Sequence, residues 1–351
     1  MKWIMPLALM LLSFSCSVQP YRASDVDRPR AQLPQDEQVH HMNSLEWWYF
    51  TGHLYNADSS LEFGTEFVIF HTTPRGKKDF LILNFALSDP QQDTFYYHYE
   101  FDRKQERLDS SQPLNLAVVG DEDTLALLRG LLGNYAWQAR SASGDLALKI
   151  KTTPGKGLLL HDGVGYEDYG GLARAGYYSY PRLEAEGELS LMGEKIPVQG
   201  ELWYDRQWNC LSVYETKVGW DWFSVQFEEP RSELMLYQLN HPKKDSVILK
   251  GGSYFTEEGS QIELASEDIT LSPLEFWESP ETGSRYPLRW RAQIPRLELD
   301  LEIEAEIAQQ ELEMRYLKVV RINYWEGMCT ARGTLAGDSI RGNSYVEMTN
   351  R

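Results

Sequence analysis

The sequence predicts an all-β protein made of two antiparallel barrels or sandwiches. The chain has 351 residues, which is too long for one small barrel and fits two domains of ordinary size. Residues 297–307 alternate strictly between apolar and polar side chains, the period of a strand with one face in the core. Aromatic residues make up 13% of the chain, and flat rings of this kind fill the space between pleated walls.

Short strands separated by turn residues run along the chain. Residues 46–54 are rich in aromatic side chains, residues 56–60 are turn formers, and residues 61–70 resume a strand. Residues 183–191 form another strand, and residues 297–307 should turn their acidic side chains to water. The one helical candidate is 124–132, because Asp121 and Asp123 precede it as possible N-caps.

Two similar aromatic segments indicate a duplication. One begins at Trp47 and the other at Trp220, about 170 residues later, and each is followed by a turn and a second strand. Two related β domains explain this repeat, and we place the boundary between them near residue 215. The N-terminal domain then covers residues 36–215 and the C-terminal domain residues 216–351.

The N-terminus has the pattern of an export signal. Lys2 supplies a positive charge, and residues 3–14 form an apolar stretch that is too short to span a bilayer comfortably. The stretch ends at Cys16, after which the sequence turns polar. This pattern predicts a lipoprotein signal peptide over residues 1–16 with lipid on Cys16, followed by a flexible tether over residues 17–35. The protein would then be a lipoprotein of the cell envelope, anchored to a membrane surface on the periplasmic side. A plain secretory signal with an incidental cysteine is the alternative.

Charge and cysteine content narrow the partners. The net charge of −18 argues against nucleic acid, whose phosphates are bound by clustered Lys and Arg. Once Cys16 is set aside, Cys210 and Cys329 are either a disulfide or two buried thiols. His40 and His41 lie near acidic residues but match no metal spacing, so we expect no metal and no cofactor.

Four long segments resemble the AttH-like and hydroxyneurosporene-synthase-like family, a group that includes carotenoid 1,2-hydratase-like proteins. They span most of the mature chain in the order found in the family: EWWYFTGHLYN (46–56), GVGYEDYGGLARAGYYSYPRLEAEGEL (163–189), VQGELWYDRQW (198–208) with GWDWFSVQF (219–227), and YWEGMCTARGTLAGDSIRGNSYVEMT (324–349).

The resemblance implies two lipocalin-like β domains packed side by side, with an apolar cavity or inter-domain cleft lined by the Trp-rich segments. Relatives include hydratases that add water to an isoprenoid double bond, a hydratase of a prenylated plant phenolic, and fungal Diels–Alderases. Because one fold hosts many activities, the resemblance does not settle which of them is present.

The sequence departs from the family at two motifs. Arg206 stands where the family pattern Trp-x-Asp-His-Glu/Gln-Trp has His, and an always-charged Arg is a poor proton donor. The chain ends in EMTNR at 347–351, where Glu-Leu-Thr-Gly-Tyr is common. Both departures weigh against carotenoid hydration itself.

Asp205 is the leading candidate for a catalytic acid. Enclosure by aromatic side chains such as Trp203 and Trp208 would raise the pKa of its carboxyl group, which could then donate a proton. The alternative is a structural aspartate that pairs with Arg206 or with the backbone at a strand end.

Glu46 and Tyr178 are the other candidate catalytic residues. Glu46 is either a buried acid or the structural partner of an arginine such as Arg182. Alternation lets only one of Tyr177 and Tyr178 point inward, and the family pattern favours Tyr178. A tyrosine hydroxyl there could orient water or substrate, although core tyrosines with one wet end are common.

The expected ligand-binding residues are Trp47, Trp208, Trp222 and Trp325. Their faces could line an apolar site and shield a carbocation by cation–π attraction, or they could belong to the core. Trp47 and its neighbour Trp48 must face opposite sides of a strand, so the two cannot line one pocket.

Three functions are compatible with these observations. The first is an enzyme that hydrates or cyclises an isoprenoid-like small molecule by acid catalysis in an apolar cavity. The second is a non-catalytic binder or carrier of a lipid or other hydrophobic ligand. The third is an accessory module of a membrane transporter complex.

Lipidation of Cys16 can be tested by fractionation. We expect the wild-type protein to sediment with membranes and to carry lipid by mass spectrometry, because an acyl anchor partitions into the bilayer. The Cys16→Ala variant should move to the soluble fraction. An unlipidated, soluble wild-type protein would contradict the lipoprotein prediction.

Overall fold

The computed structural model describes residues 30–41, 45–73, 80–102, 114–120, 123–209, 217–244, 246–316 and 320–349. Within them the chain forms antiparallel strands arranged in two large sheets, which confirms the all-β prediction. The helical segments in the described part of the chain are the 3₁₀ helices Gln35–Glu37, His161–Gly163, Ser266–Asp268 and Pro295–Leu297. No helix among the described residues has the length and apolarity needed to cross a membrane.

The first sheet has twelve strands and nearly closes into a barrel. Its strands are β1 (Leu45–Asn56), β2 (Glu62–Thr72), β3 (Phe80–Asp89), β4 (Thr94–Asp102), β5 (Leu114–Val119), β6 (Thr124–Leu131), β7 (Asn134–Arg140), β8 (Leu146–Pro154), β9 (Leu159–Leu160), β10 (Tyr166–Asp168), β11 (Arg174–Leu191) and β12 (Glu194–Trp208). The order is β4-β3-β2-β1-β12-β11-β8-β7-β6-β5, and β9 and β10 also pair with β11. The edge strands β4 and β5 meet, and the Val119 amide donates to Asp102 Oδ2 over 2.8 Å.

The second sheet repeats this topology with ten strands. They are β13 (Gly219–Phe227), β14 (Glu233–Asn240), β15 (Val247–Phe255), β16 (Gln261–Leu264), β17 (Thr270–Glu278), β18 (Arg285–Ile294), β19 (Leu299–Ala305), β20 (Glu311–Tyr316), β21 (Val320–Leu335) and β22 (Asp338–Thr349). In each sheet the first strand lies between the second and the last strand of that sheet. Trp47 and Trp220 therefore lie on topologically equivalent strands. The boundary predicted at 215 falls between Trp208 and Gly219, outside the described residues.

Each sheet encloses an apolar core of its own. In the first, Phe67 and Trp137 stack with ring centroids 4.5 Å apart. In the second, Trp325 packs with Trp290 and their neighbours. Cys329 is a buried free thiol in this second core, and its predicted alternative partner Cys210 lies outside the described residues.

The N-terminal segment packs against the first barrel. Arg206 donates to the carbonyl oxygens of Asp36 and Gln38, over 3.0 and 2.7 Å, and the Tyr135 hydroxyl donates to the Glu37 carboxylate. The Ala31 amide donates to the Val164 carbonyl over 2.8 Å. The structure thus holds residues 31–35, at the end of the predicted tether, against the sheet. Cys16 and most of that tether lie outside the described residues.

The two sheets pack against each other through the outer faces of β1, β2, β11 and β12 and through β13, β14 and β15. A third apolar cluster fills this seam, including Tyr49, Trp203 and Trp222. A buried ion pair ties the halves together, because Arg182 Nε donates to Glu233 Oε1 over 2.7 Å. The strands at the seam are therefore buried on both faces.

Residues 124–132 are not helical, contrary to the prediction. Residues 124–131 form β6, which pairs with β7 through a two-residue turn at Leu132 and Gly133. Both turn residues have positive φ, 52° and 83°, as a tight hairpin with right-handed strand twist needs. Asp123 does not cap a helix and forms an ion pair with Arg140. Strand pairing outweighed the local capping signal.

The acidic strand near residue 300 has the predicted orientation. Strand β19 is shorter than 297–307 because Leu297 ends a 3₁₀ helix and Glu298 adopts a left-handed conformation. Leu301 and Ile303 are fully buried, and Glu302 and Glu304 are exposed.

Candidate functional site

The seam between the sheets contains a cleft of about 60 Å³. Its walls come from both halves of the chain and are mostly aromatic, with two carboxyl groups among them. The lining residues are Trp47, Tyr49, Tyr169, Tyr177, Asp205, Gln207, Trp220, Trp222, Tyr237, Leu239 and Glu347. All four segments that resemble the family contribute to this lining.

Two tryptophans mark the accessible end of the cleft. Trp47 and Trp220 are half-buried, and their rings stack with centroids 6.3 Å apart. They come from the equivalent first strands of the two sheets, so the duplication places one indole on each side. Deeper in the cleft, Trp222 is buried and its Nε1 donates to the Tyr177 hydroxyl over 3.0 Å.

Asp205 is buried and accepts three hydrogen bonds from neutral donors. Trp203 Nε1 donates to Oδ1 over 2.6 Å, Ser179 Oγ donates to the same oxygen, and the Tyr177 hydroxyl donates to Oδ2 over 2.6 Å. Burial raises the pKa of the Asp205 carboxyl to about 6, and the three donors limit that rise because they stabilise the charged form. Asp205 is therefore mostly ionised at pH 7.

Glu347 is the second carboxyl group of the cleft. It lies on β22 directly across from Trp222 on β13. It keeps some accessible surface where it lines the cleft, but the protein packed around it raises its pKa to about 8. Desolvation is the main cause, a hydrogen bond from the Trp220 side chain opposes it, and the charges of Asp205 and Asp221 add to it. Glu347 is therefore mostly protonated at pH 7.

Two more acids lie behind Glu347 in the seam. Glu326 is the cross-strand neighbour of Glu347, and its Oε2 accepts a 2.8 Å hydrogen bond from the Tyr49 hydroxyl. Glu66 is fully buried, and neither of its carboxyl oxygens has a hydrogen-bond partner among the described residues. Burial and then the charge of Glu347 raise the pKa of both groups well above the usual range. The seam thus favours neutral carboxylic acids.

A wider groove of about 690 Å³ crosses β6, β7, β8, β11 and β12. Its polar lining includes Arg129, Lys149, Lys151 and Glu186, which are all exposed. Such side chains form a solvated outer wall, so this groove lacks the desolvated acids found in the cleft.

The structure brings three of the sequence-predicted residues together, namely Asp205, Trp47 and Trp222. Tyr178 is not among them. It is fully buried inside the first barrel beside Tyr204, and its neighbour Tyr177 reaches the cleft. Alternation does separate the two tyrosines, but both faces of β11 are buried, so Tyr178 faces the barrel core and Tyr177 faces the cleft.

Glu46 also lies away from the cleft, on the barrel side of β1. Arg206 Nη2 donates to Glu46 Oε2 over 2.5 Å, and His40 and His71 bond its two oxygens over 2.8 and 2.7 Å. Burial alone would raise the pKa of Glu46, but Arg206 and the two histidines hold it well below the usual range. Glu46 is thus the structural partner of Arg206 and not of Arg182. No group of His, Cys, Asp or Glu in the described part of the chain has an arrangement suited to a metal ion.

Trp208 and Trp325 are core residues rather than cleft residues. Trp208 lies over Gly176 of the neighbouring strand, where an added Cβ atom would come within 1.9 Å of the indole ring. Arg206 sits between Trp208 and Trp48, 4.1 Å from the Trp48 ring centroid. The arginine that replaces the family histidine therefore points into the first barrel and away from Asp205.

A family model described as AttH-like matches residues 25–351. The chain belongs to the AttH-like family. An AttH protein of Nitrosomonas europaea is 27% identical, with a TM-score of 0.78 over 92% of this chain and 97% of that one. Kievitone hydratase of Nectria haematococca is 16% identical, with a TM-score of 0.67 over 92% of this chain and 94% of that one, which shows a shared fold. No curated protein sequence matches the chain.

Tyr177 and Glu347 are among the cleft residues that sequence reasoning did not select. The AttH-like resemblance already contained both, since Tyr177 belongs to the second segment and Glu347 to the fourth. Hairpin register could have found Glu347, because the turn after Leu335 places it opposite Glu326 on β21. A buried acid facing another acid is a signal of a shifted pKa.

The buried acids predict an unusual pH dependence of stability. Glu66 holds its proton in the folded state at pH values where the unfolded chain has lost it, so stability falls as pH rises. Glu66→Gln, which cannot ionise, should raise the free energy of unfolding by about 1–3 kcal/mol at pH 9 and change it little at pH 5. Denaturant unfolding at the two pH values measures this, with the exposed Glu302→Gln as the matched control. An equal effect at both pH values would contradict the assignment.

Proposed function

We propose that the protein is an envelope lipoprotein that hydrates or cyclises an alkene group of an apolar small molecule in the inter-sheet cleft. Glu347 is the proton donor, and Asp205 is the base. The observation that carries this proposal is that two carboxyl groups, those of Asp205 and Glu347, line one aromatic cleft. Burial raises the pKa of Asp205 to about 6 and that of Glu347 to about 8. Pairs of acids whose environments push their pKa values apart are the usual basis of acid and base roles at neutral pH.

The first step is proton transfer from Glu347 to an alkene carbon, which leaves a carbocation on the substrate. Trp47, Trp220 and Trp222 surround this part of the cleft, and their ring faces attract a cation. Tertiary cations form most readily, so a branched, isoprenoid-like alkene is the fitting substrate class.

The second step uses Asp205. In hydration, water attacks the cation and Asp205 takes the proton that the water loses. In cyclisation, a second double bond attacks, and Asp205 removes a proton from the resulting cation. Asp205 suits the role of base because three donors favour its charged form, and the Tyr177 hydroxyl beside Oδ2 is placed to orient the attacking water.

Cleft size limits what enters. Sites that enclose a whole drug-sized ligand have volumes of roughly 300–1,000 Å³, whereas this cleft measures about 60 Å³. We infer that only the branched end of the substrate enters and that the remainder lies across Trp47 and Trp220. The fold shared with kievitone hydratase agrees with hydration as the reaction. A lipid on Cys16 would keep the cleft near the membrane, where apolar substrates concentrate.

Hydration can be tested with labelled water. We expect the protein to convert prenylated phenolics or short terpenoid alkenes into alcohols that carry heavy oxygen when the reaction runs in H₂¹⁸O. Asp205→Asn and Glu347→Gln should each lower turnover by about a hundredfold or more, and the exposed Glu302→Gln should not. In the wild type kcat/KM should rise with pH through about 6 as Asp205 ionises and fall above about 8 as Glu347 loses its proton.

Two results would contradict this proposal. Undiminished turnover in both variants would exclude these carboxyl groups as acid and base. Tight binding of the alkenes without any product would instead favour the carrier of a hydrophobic ligand. Loss of only the alkaline limb in Glu347→Gln, and of only the acidic limb in Asp205→Asn, would assign the two roles individually.

A further inference from the structure

A chain of hydrogen-bonding side chains that do not line the cleft leads away from Asp205 along the seam. Ser179 Oγ donates to Asp205 Oδ1, and His161 Nε2 lies 2.7 Å from Ser179 Oγ. On the far side of the imidazole ring, Ser253 Oγ lies 3.5 Å from His161 Nδ1, and it donates to Glu263 Oε2 over 2.9 Å. The chain crosses the seam, because Ser179 belongs to β11 and Ser253 to β15.

We propose that Ser179, His161, Ser253 and Glu263 form a proton path between Asp205 and solvent. This proposal rests on the proposed role of Asp205 as the base, because the path ionises Asp205 for that role. The path is needed when substrate fills the cleft while Asp205 is still protonated, since water then cannot carry the proton from Asp205 directly. Once product leaves, Asp205 loses the proton gained in turnover and Glu347 regains one, both through the cleft, so both carboxyl groups return to their starting states.

The inner part of the path has the right composition. His161 and Ser179 are fully buried, so bulk water does not replace them as proton carriers. The His161 ring stacks on Tyr177 with centroids 3.7 Å apart, which fixes its orientation. Burial lowers the pKa of His161 to about 3, so the ring stays neutral with one nitrogen as donor and the other as acceptor. A neutral imidazole passes a proton by exchanging tautomers.

The outer end reaches the surface at Glu263. Glu263 is half-buried, and its carboxyl also accepts a hydrogen bond from the Gly163 amide over 3.2 Å. Burial raises the pKa of Glu263, and nearby Asp162 adds to that rise, so its carboxylate accepts a proton more readily than that of an exposed glutamate. Asp162, Glu167 and Asp168 are the other acidic groups around this end. The contact between Ser253 Oγ and His161 Nδ1, at 3.5 Å, is the longest link of the path.

The transfer can be written with every proton accounted for. Protonated Asp205 donates to Ser179 Oγ, whose own proton moves to His161 Nε2. The Nδ1 proton of His161 moves to Ser253 Oγ, and the serine proton moves to the Glu263 carboxylate. One proton has then passed from Asp205 to Glu263, and the imidazole has changed from the Nδ1–H to the Nε2–H tautomer without becoming charged.

The tautomer of His161 therefore reports on the charge of Asp205. With Asp205 ionised, Ser179 donates to it and His161 must hold its proton on Nε2. With Asp205 protonated on Oδ1, Ser179 donates to Nε2 and the ring proton moves to Nδ1. Asp205 is protonated on Oδ1, because its Oδ2 already accepts a hydrogen bond from the Tyr177 hydroxyl. That hydroxyl is held in place by a hydrogen bond that it accepts from Trp222 Nε1.

The path is tested by ¹⁵N NMR of histidine-labelled protein between pH 5 and 8, with the His161 signal assigned by its loss in His161→Phe. In the wild type we expect a neutral ring that changes from Nδ1–H to Nε2–H as Asp205 ionises. In Asp205→Asn the tautomer should be Nε2–H throughout. In Ser253→Ala it should also stay Nε2–H, because an Nδ1–H would have no acceptor. The buried Ser344→Ala, outside the path, should switch as the wild type does.

The tautomer of His161 in these samples decides whether the path exists. A single tautomer across the ionisation of Asp205 in the wild type would overturn the path, and a switch that persists in Ser253→Ala would overturn its exit through Glu263. The ¹³C signal of the Asp205 carboxyl in the same samples separates the two proposals. If Asp205 ionises near pH 6 while His161 stays fixed, the path fails and the base survives; if Asp205 is already ionised well below pH 5, the proposed base role itself fails.

Discussion

Burial of both faces of the central strands is the constraint on which the rest of the structure depends. Strands β1 and β12 of the first sheet and β13 and β14 of the second have a barrel core on one side and the partner sheet on the other. The polar side chains on the buried parts of these strands must find partners inside the protein, because bulk water is excluded from both faces there. The inter-sheet seam is consequently where charge is most expensive, and it is also where the cleft lies.

Adjacent residues of β12 show how different the two sides are. Arg206 points into the first barrel, where Glu46 neutralises it and the ring of Trp48 covers it. Asp205 points into the seam, where its partners are the neutral donors Tyr177, Ser179 and Trp203. Arg206 therefore helps to hold the pKa of Glu46 well below its usual range, whereas burial among neutral donors raises the pKa of Asp205. The arginine found in place of the family histidine thus does not remove an acid from the cleft.

The sequence was sufficient for the fold and for part of the site. Periodicity gave the exposed acidic face of β19, and the aromatic repeat gave the equivalence of Trp47 and Trp220. It misassigned 124–132, because the pairing of β6 with β7 is not visible in a capping pattern. It also chose Tyr178 over Tyr177 and grouped Glu46 with Asp205. Alternation identifies the core-facing side chains of a strand only when the other face is exposed. Both faces of these strands are buried, so the sequence alone could not tell which face carries the cleft.

Glu347 and Asp205 carry the central claim, which is that one cleft holds a protonated acid and an ionised base at neutral pH. The most direct measurement is a ¹³C NMR titration of both carboxyl groups in the resting protein, with signals assigned by Glu347→Gln and Asp205→Asn. The account predicts that Asp205 ionises near pH 6 and Glu347 only near pH 8. Ionisation of Glu347 at or below the pH at which Asp205 ionises would contradict it.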